Sequence, residues 1–152
     1  MRSILFVSAF LTLAIACNKD KLETTPSLKL KSISSSTVPV GGTLIVQFDF
    51  TDKEGDISDT IFVKKVRTNQ IVVPTLRDSF VLQVPAFPDR SRGIIELQLT
   101  YQNHLVSAVN PPSSGGTPPN LHDDTLIFKF ALRDKAKHIS DTVTTGPIVI
   151  VR

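Results

Sequence analysis

Two stretches of fourteen residues, 48–61 and 130–143, carry nearly the same pattern. Aligned, they share F-x-[FL]-x-D-K-x-x-x-I-S-D-T-[IV]: alternating apolar positions, an acidic turn and then a β-branched run. We call this pattern the repeat motif. Apolar alternation on both sides of a short polar turn is typical of a strand, a tight connection and a returning strand. We therefore expect a hairpin at each copy.

Beyond its apolar N-terminus, the chain predicts strands and no helix. Its ten prolines interrupt short runs rich in Val, Ile, Leu, Thr and Phe, and no run has apolar residues at helical spacing over three turns. Strands are predicted at 28–33 (with a bulge), 43–50, 60–67, 79–84, 93–101, 124–133 and 147–151, with a further short strand or extended link at 71–73. About seven or eight strands in one domain predict an all-β fold, an immunoglobulin- or fibronectin-III-like antiparallel sandwich.

Alternation also predicts which side chains form the core. Four phenylalanines in or beside the two motif copies should be buried: Phe48, Phe50, Phe128 and Phe130. Asp49 and Lys129 should be exposed, since neighbouring strand residues point to opposite faces. The Pro- and Gly-rich stretch 102–122 has little to bury, which predicts a long mobile loop.

The N-terminus predicts export. Arg2 supplies a positive charge, and about 11 mostly apolar residues follow, fewer than the ~20 of a membrane-spanning helix. Small residues then precede Cys17, the only cysteine. This segment resembles the lipobox of bacterial lipoproteins, which implies cleavage before Cys17 and a lipid on that cysteine. The alternative is an ordinary secreted protein with an unpaired thiol. The expected organisation is a signal peptide at 1–16, a lipidated tether at 17–26 and a sandwich domain at 27–152.

The repeat motif adds a second resemblance, to the immunoglobulin-like lipoproteins of Bacteroidota. The positions that carry it are Phe48, Phe50, Asp52 and 54–56 in the first copy, and 133–136 and 140–142 in the second. Lys137 and His138 stand where the closing turn of those proteins has Gly and Asn. The resemblance implies a β-sandwich fold and a location at the outer membrane, facing the periplasm or the cell surface. It implies no activity.

One cluster of potential ligands stands out in the first copy. Asp52, Glu54, Asp56 and Asp59 alternate around a glycine, as carboxylates do that bind a hard cation such as calcium. The residues favour the simpler interpretation of a solvated hairpin turn, in which the aspartates cap backbone amides and Gly55 supplies a positive φ.

Charge and motifs exclude several function classes. The net charge is +3, and the basic residues are scattered rather than grouped with stacking aromatics, so we expect no nucleic-acid partner. HExxH and GxSxG are absent, and the histidines lack the spacing of a metal pair. We therefore expect no enzymatic activity and no cofactor other than a possible calcium ion.

The expected function is a lipid-anchored binding or adaptor domain of the cell envelope. Its partner would be a glycan, a peptide or an envelope protein, contacted through Tyr101, Phe87 and the 102–122 loop. One alternative is a structural accessory subunit of an outer-membrane assembly, and another is a calcium-stabilised glycan-binding module.

Overall fold

The computed structural model describes residues 22–69, 77–106, 116–117 and 120–152. These residues form nine strands and one π-helical turn. In chain order the elements are β1 (Ser27–Ile33), β2 (Thr37–Val38), β3 (Thr43–Thr51), β4 (Thr60–Arg67), β5 (Arg77–Gln83), β6 (Arg92–Thr100), the π-helix (Tyr101–Leu105), β7 (Asp124–Arg133), β8 (Val143–Thr144) and β9 (Ile148–Ile150).

The strands form two sheets packed face to face. The smaller sheet has the order β1-β3-β6 and is antiparallel, with a bulge in β1 between Leu30 and Ser32, where one was predicted. The larger has the order β2-β9-β7-β4-β5, with β8 also paired to β7. Within it, β2 runs parallel to β9, and the other pairs are antiparallel. The prediction of an all-β, immunoglobulin-like sandwich is confirmed.

Alternating apolar residues of β3 and β7 form the centre of the core. Phe48 and Phe130 contact each other edge to face across the two sheets, with ring centroids 4.9 Å apart. All four predicted phenylalanines are buried, while Asp49 and Lys129 are exposed, as alternation requires. The register of both strands is therefore as predicted.

Strand β4 lies between β7 and β5, the central position that its continuous apolar run indicated. The structure assigns its faces: Ile61 and Val63 point into the core, while Phe62 lies on the outer side. The inward face continues with Lys65 and Arg67, both buried. Alternation thus places two basic side chains inside the sandwich.

The first copy of the repeat motif is not a hairpin, and this prediction was wrong. Its leading strand, β3, belongs to the smaller sheet, and its returning strand, β4, belongs to the larger one. Residues 52–59 therefore cross between sheets. The second copy does fold back within one sheet, through a bridge between Arg133 and Ile139 and then the pairing of β8 with β7.

The predicted loop at 102–122 begins with regular structure. Residues Tyr101–Leu105 form the π-helix, in which Leu105 is fully buried. Residues 107–115 and 118–119 lie outside the described residues, as does the predicted short strand at 71–73.

The sandwich has two chemically different ends. At one end, the acidic end, the 52–59 crossover contacts the 84–91 connection, with Arg90 N–H donating to Gly55 O at 3.2 Å. The chain also enters the domain there, because Lys53 N–H donates to Glu23 O at 3.1 Å. The opposite end, the far end, carries the 38–42 turn and the π-helix, joined by a hydrogen bond from Tyr101 N–H to Gly42 O at 3.0 Å.

Candidate functional site

Asp52 closes the first acidic turn from the inside. Its side-chain Oδ2 accepts hydrogen bonds from the backbone N–H groups of Gly55 at 2.7 Å and Asp56 at 3.1 Å. The predicted capping role is confirmed, but the residue is 1% exposed rather than solvated. Burial raises the pKa of Asp52; the two amide bonds oppose that rise, and the charges of Asp56 and Asp134 add to it.

Asp134 occupies the same position in the second copy and is likewise buried. Its Oδ1 accepts a hydrogen bond from His138 N–H at 2.8 Å, and its Oδ2 lies 3.0 Å from His138 Nδ1. Each copy of the motif therefore buries the aspartate that begins its turn, Asp52 or Asp134, beneath that turn.

The two turns meet at the acidic end. Lys135 N–H donates to the carbonyl oxygen of Asp56 at 3.1 Å, which joins the second turn to the first. Asp52, Asp56 and Asp134 each place one carboxylate oxygen within 4.8 Å of the other two. We call these three residues the carboxylate cluster.

The structure places the other two predicted calcium ligands elsewhere. Glu54 is exposed on the turn. Asp59 accepts hydrogen bonds from Arg133 Nε at 2.8 Å and Lys137 Nζ at 3.0 Å. These bonds, that of Arg133 first, lower the pKa of Asp59 to about 2. Of the four candidates, the structure brings Asp52 and Asp56 together and adds Asp134.

Sequence reasoning did not place Asp134 in this cluster. A signal existed, because Asp52 and Asp134 occupy the same position of the repeat motif. In the structure, the strands that precede these aspartates, β3 and β7, both end at the acidic end of the sandwich. The expectation of two separate hairpins obscured that relationship.

The outer face of the larger sheet carries a second candidate site. Val81, Phe62 and Ala131 are paired across β5, β4 and β7 and form an apolar row. A groove of about 580 Å³ follows this row and includes Lys64 and Lys129 in its lining. We call these five residues the basic face.

The two lysines of the basic face are direct cross-strand partners. Both are exposed, and neither has an acidic partner among the residues that the structure describes. Like charges placed directly opposite on neighbouring strands destabilise a sheet. The basic face therefore holds two positive charges that the described part of the fold does not neutralise.

The aromatic residues expected to contact a ligand have structural roles instead. Tyr101 is buried, and its hydroxyl donates to the carbonyl oxygen of Val151 at 2.7 Å. Phe87 packs against Phe50, with ring centroids 6.4 Å apart. Tyr101 is therefore unavailable to a ligand, and Phe87 is partly committed to the core.

At the far end, Lys65 connects the larger sheet to the π-helix. Its Nζ pairs with Asp78 at 2.6 Å and donates to the carbonyl oxygen of His104 at 2.7 Å. His104 Nδ1 in turn accepts the N–H of Thr100 at 3.0 Å. Burial lowers the pKa of His104, and the charge of Lys65 lowers it further.

A second buried ionic group lies near the C-terminus. Asp124, which is fully buried, pairs with Arg67 Nε at 2.6 Å and accepts a hydrogen bond from Arg152 Nε at 2.9 Å. Each partner comes from a different segment, so the group joins the ends of β4 and β7 to the C-terminus. The aspartate and the two arginines therefore pair with one another within the group.

No protein-family model and no curated protein sequence matches the chain. Several solved structures are similar in shape. A Niemann-Pick type C2 protein from Japanese carpenter ant has 15% identity and a TM-score of 0.44, with 85% of this chain and 98% of that chain covered. The sporulation control protein Spo0M from Bacillus subtilis has 9% identity and a TM-score of 0.37, covering 84% of this chain and 50% of that one.

A β-glucosidase from Listeria innocua is also similar, with 14% identity and a TM-score of 0.35. The match covers 84% of this chain but 16% of the β-glucosidase, so the chain spans about a sixth of that enzyme's length. Likenesses at this level carry no functional argument.

The predicted signal peptide and the predicted lipid attachment both concern residues outside the described part of the chain. Cys17 and the signal peptide precede residue 22, where the described part of the chain begins. Among the described residues, no helix has the length and apolar character needed to cross a membrane.

Proposed function

We propose that the protein is a lipid-anchored binding domain of the cell envelope, without catalytic activity of its own. Its anchor is Cys17, at the outer membrane, and its partner is an acidic segment of an envelope protein that binds the basic face. The observation that carries the proposal is the unneutralised cross-strand pair of Lys64 and Lys129 beside the apolar groove.

The position of the tether supports an anchored arrangement. Glu23 contacts Lys53, and Ser27, the first residue of β1, pairs with Thr51. A lipid at Cys17 would therefore hold the domain by its acidic end. The basic face lies on the side of the sandwich and would remain open to a partner in that orientation.

Charge and shape together favour an acidic protein segment. A carboxylate between Lys64 and Lys129 would relieve their repulsion. An adjacent apolar side chain would cover Val81, which is 54% exposed, and the edge of Phe62. Burying this apolar surface contributes about 25 cal/mol per Å² removed from water.

A glycan fits the same groove less well. Sugar rings bind proteins by stacking on the open face of an aromatic ring, and the phenyl ring of Phe62 is partly covered. The guanidinium group of Arg133 lies 5.3 Å from its centroid. Arg133 is itself held by Asp59 at 2.8 Å, so it does not leave the ring freely.

Site-specific photo-crosslinking in the natively anchored protein tests this proposal. A photoreactive residue at Val81 samples the basic face. The matched control is Ile94, which is 55% exposed on the smaller sheet. We expect a discrete protein adduct from position 81 and none from position 94. The adduct should be lost when Lys64→Glu and Lys129→Glu are introduced together.

Three outcomes would contradict the proposal. They are the absence of any adduct at position 81, an adduct that survives reversal of both charges, and an adduct whose crosslinked component is a polysaccharide. The charge-reversed protein should keep its melting temperature within a few degrees, because both lysines are exposed.

A further inference from the structure

The carboxylate cluster concentrates negative charge without a matching cation. Arg133 and Lys137 pair with Asp59, and Lys135 pairs with Asp89 at 3.6 Å. In the described part of the chain, no lysine or arginine forms an ion pair with any of the three cluster carboxylates. Among the basic side chains that the structure describes, His138 alone pairs with the cluster, through Asp134.

Two oxygens of the cluster are buried and unpartnered. The turn amides use Oδ2 of Asp52, and His138 uses both oxygens of Asp134. Oδ1 of Asp52 and Oδ1 of Asp56 have no hydrogen-bond partner among the described residues. Asp52 is 1% exposed, so bulk water does not solvate its free oxygen. A buried carboxylate oxygen in this state is unfavourable unless another group binds it.

The spacing of the carboxylates suits one large, hard cation. Calcium binds oxygen at about 2.3–2.6 Å, so two oxygens on the same ion lie at most ~4.6–5.2 Å apart. The cluster oxygens lie within 4.8 Å of one another, which is inside the upper limit for any two oxygens on one calcium ion. Magnesium binds oxygen at about 2.0–2.1 Å and demands a near-ideal octahedron, a stricter requirement than the irregular six to eight oxygens that calcium accepts.

We propose that Asp52, Asp56 and Asp134 bind one calcium ion. The ion would join the crossover between β3 and β4 to the turn after β7, two connections that meet at the acidic end. Asp56 is only partly buried, which leaves solvent access for the waters that complete six to eight ligands. All the calcium ligands predicted from the sequence lie in the first copy of the motif. The proposed site takes its third carboxylate, that of Asp134, from the second copy.

Calcium would stabilise the folded state selectively. The three carboxylates are brought together only when both sheets have formed, so the unfolded chain offers no equivalent site. The ion would also fix the acidic end, where Lys53 N–H donates to the Glu23 carbonyl oxygen and the tether joins the domain. The proposal therefore predicts a calcium-dependent melting temperature.

The test measures thermal unfolding of the purified full-length protein after chelation, with and without added calcium. We expect calcium in excess of its Kd to raise Tm by several degrees, with one ion bound per chain by titration calorimetry. Asp56→Asn should remove most of this rise. It is the cleanest variant, because the Asp56 side chain makes no hydrogen bond within the described residues.

Glu54→Gln is the matched control, since it removes an exposed carboxylate from the same turn. It should keep the full calcium response, and chelated Asp56→Asn should still unfold cooperatively. An unchanged Tm for the wild type would overturn the site. An equal rise in Asp56→Asn would also overturn the site. An equal rise with magnesium would overturn the assignment to calcium.

Discussion

Gly55 and Lys137 occupy the same position in the two motif copies and have the same left-handed conformation, with φ of 75° and 74°. The turn therefore accepts a residue with a side chain at this φ. What differs is the space around it. A Cβ atom on Gly55 would lie 2.6 Å from the backbone nitrogen of Arg90. Two reasons therefore require glycine at position 55: its left-handed φ, and the close approach of the 84–91 connection, which leaves no room for a Cβ atom.

This difference predicts unequal effects of two substitutions. Gly55→Ala should lower the free energy of unfolding by about 2–3 kcal/mol, because it combines left-handed strain with a backbone clash. Lys137→Gly should change it by less than ~1 kcal/mol, since relief of strain is offset by a more flexible unfolded chain. Urea denaturation measures both. A loss of only about 1 kcal/mol for Gly55→Ala, the cost of the left-handed conformation by itself, would show that the clash with Arg90 contributes little.

At the scale of single residues, the sequence predicted those properties that depend only on the neighbouring backbone. The capping by Asp52 and the positive φ of Gly55 follow from turn chemistry within a few residues. The convergence of Asp56 with Asp134 depends on which turns meet in space. No pattern within one segment contains that information.

At the scale of elements, alternation predicted strand bounds and faces better than strand partners. The bounds of β4 and β7 are those predicted, and so are the buried faces of β3 and β7. The first hairpin was wrong because alternation fixes which residues share a face but not which sheet receives the returning strand. The predicted core did not include Lys65, although it lies on the inward face of β4.

At the π-helix, His104 should make the stability of the domain depend on pH. His104 accepts the Thr100 N–H through Nδ1, which requires that nitrogen to be unprotonated. Burial and Lys65 hold the pKa of His104 below its ordinary value of 6.5. The stability that His104 contributes is therefore present above pH 6.5 and is lost as pH falls through the lower, folded-state pKa. We expect Tm to fall on acidification from pH 7.5 to 5.

His104→Asn separates this effect from other titrations. Its side-chain oxygen can accept the Thr100 N–H but does not titrate, so Tm should depend less on pH across this range. His122→Asn is the control and should keep the wild-type dependence. A pH dependence unchanged by His104→Asn would contradict the assignment.

At the scale of the whole molecule, the sandwich separates three features. The tether and the carboxylate cluster lie at the acidic end, the buried ionic groups of Lys65 and Asp124 lie toward the far end, and the basic face lies between them on the larger sheet. Apolar alternation between prolines predicted the fold class, because few folds other than an all-β sandwich or barrel fit that pattern. That pattern did not predict the basic face, because Lys64 and Lys129 become neighbours only when β4 pairs with β7.

The anchor gives the prediction for the intact chain. Small residues precede Cys17, and no second cysteine exists to form an intramolecular disulfide with it. Metabolic labelling with a fatty-acid analogue should therefore modify the wild-type protein and place it in the membrane fraction. Cys17→Ala should lose both the label and the membrane association. Thr24→Ala, in the tether, is the control and should keep both.

The sandwich itself should not depend on the lipid. Cys17 lies ten residues before the start of β1 at Ser27, and the core is built from residues further along the chain. We therefore expect any Cys17→Ala protein that is recovered to unfold at the wild-type Tm and to keep the same calcium response. Equal labelling of wild type and Cys17→Ala would exclude this cysteine as the attachment point. Loss of the label together with the folded domain would instead show that the anchor is needed for folding.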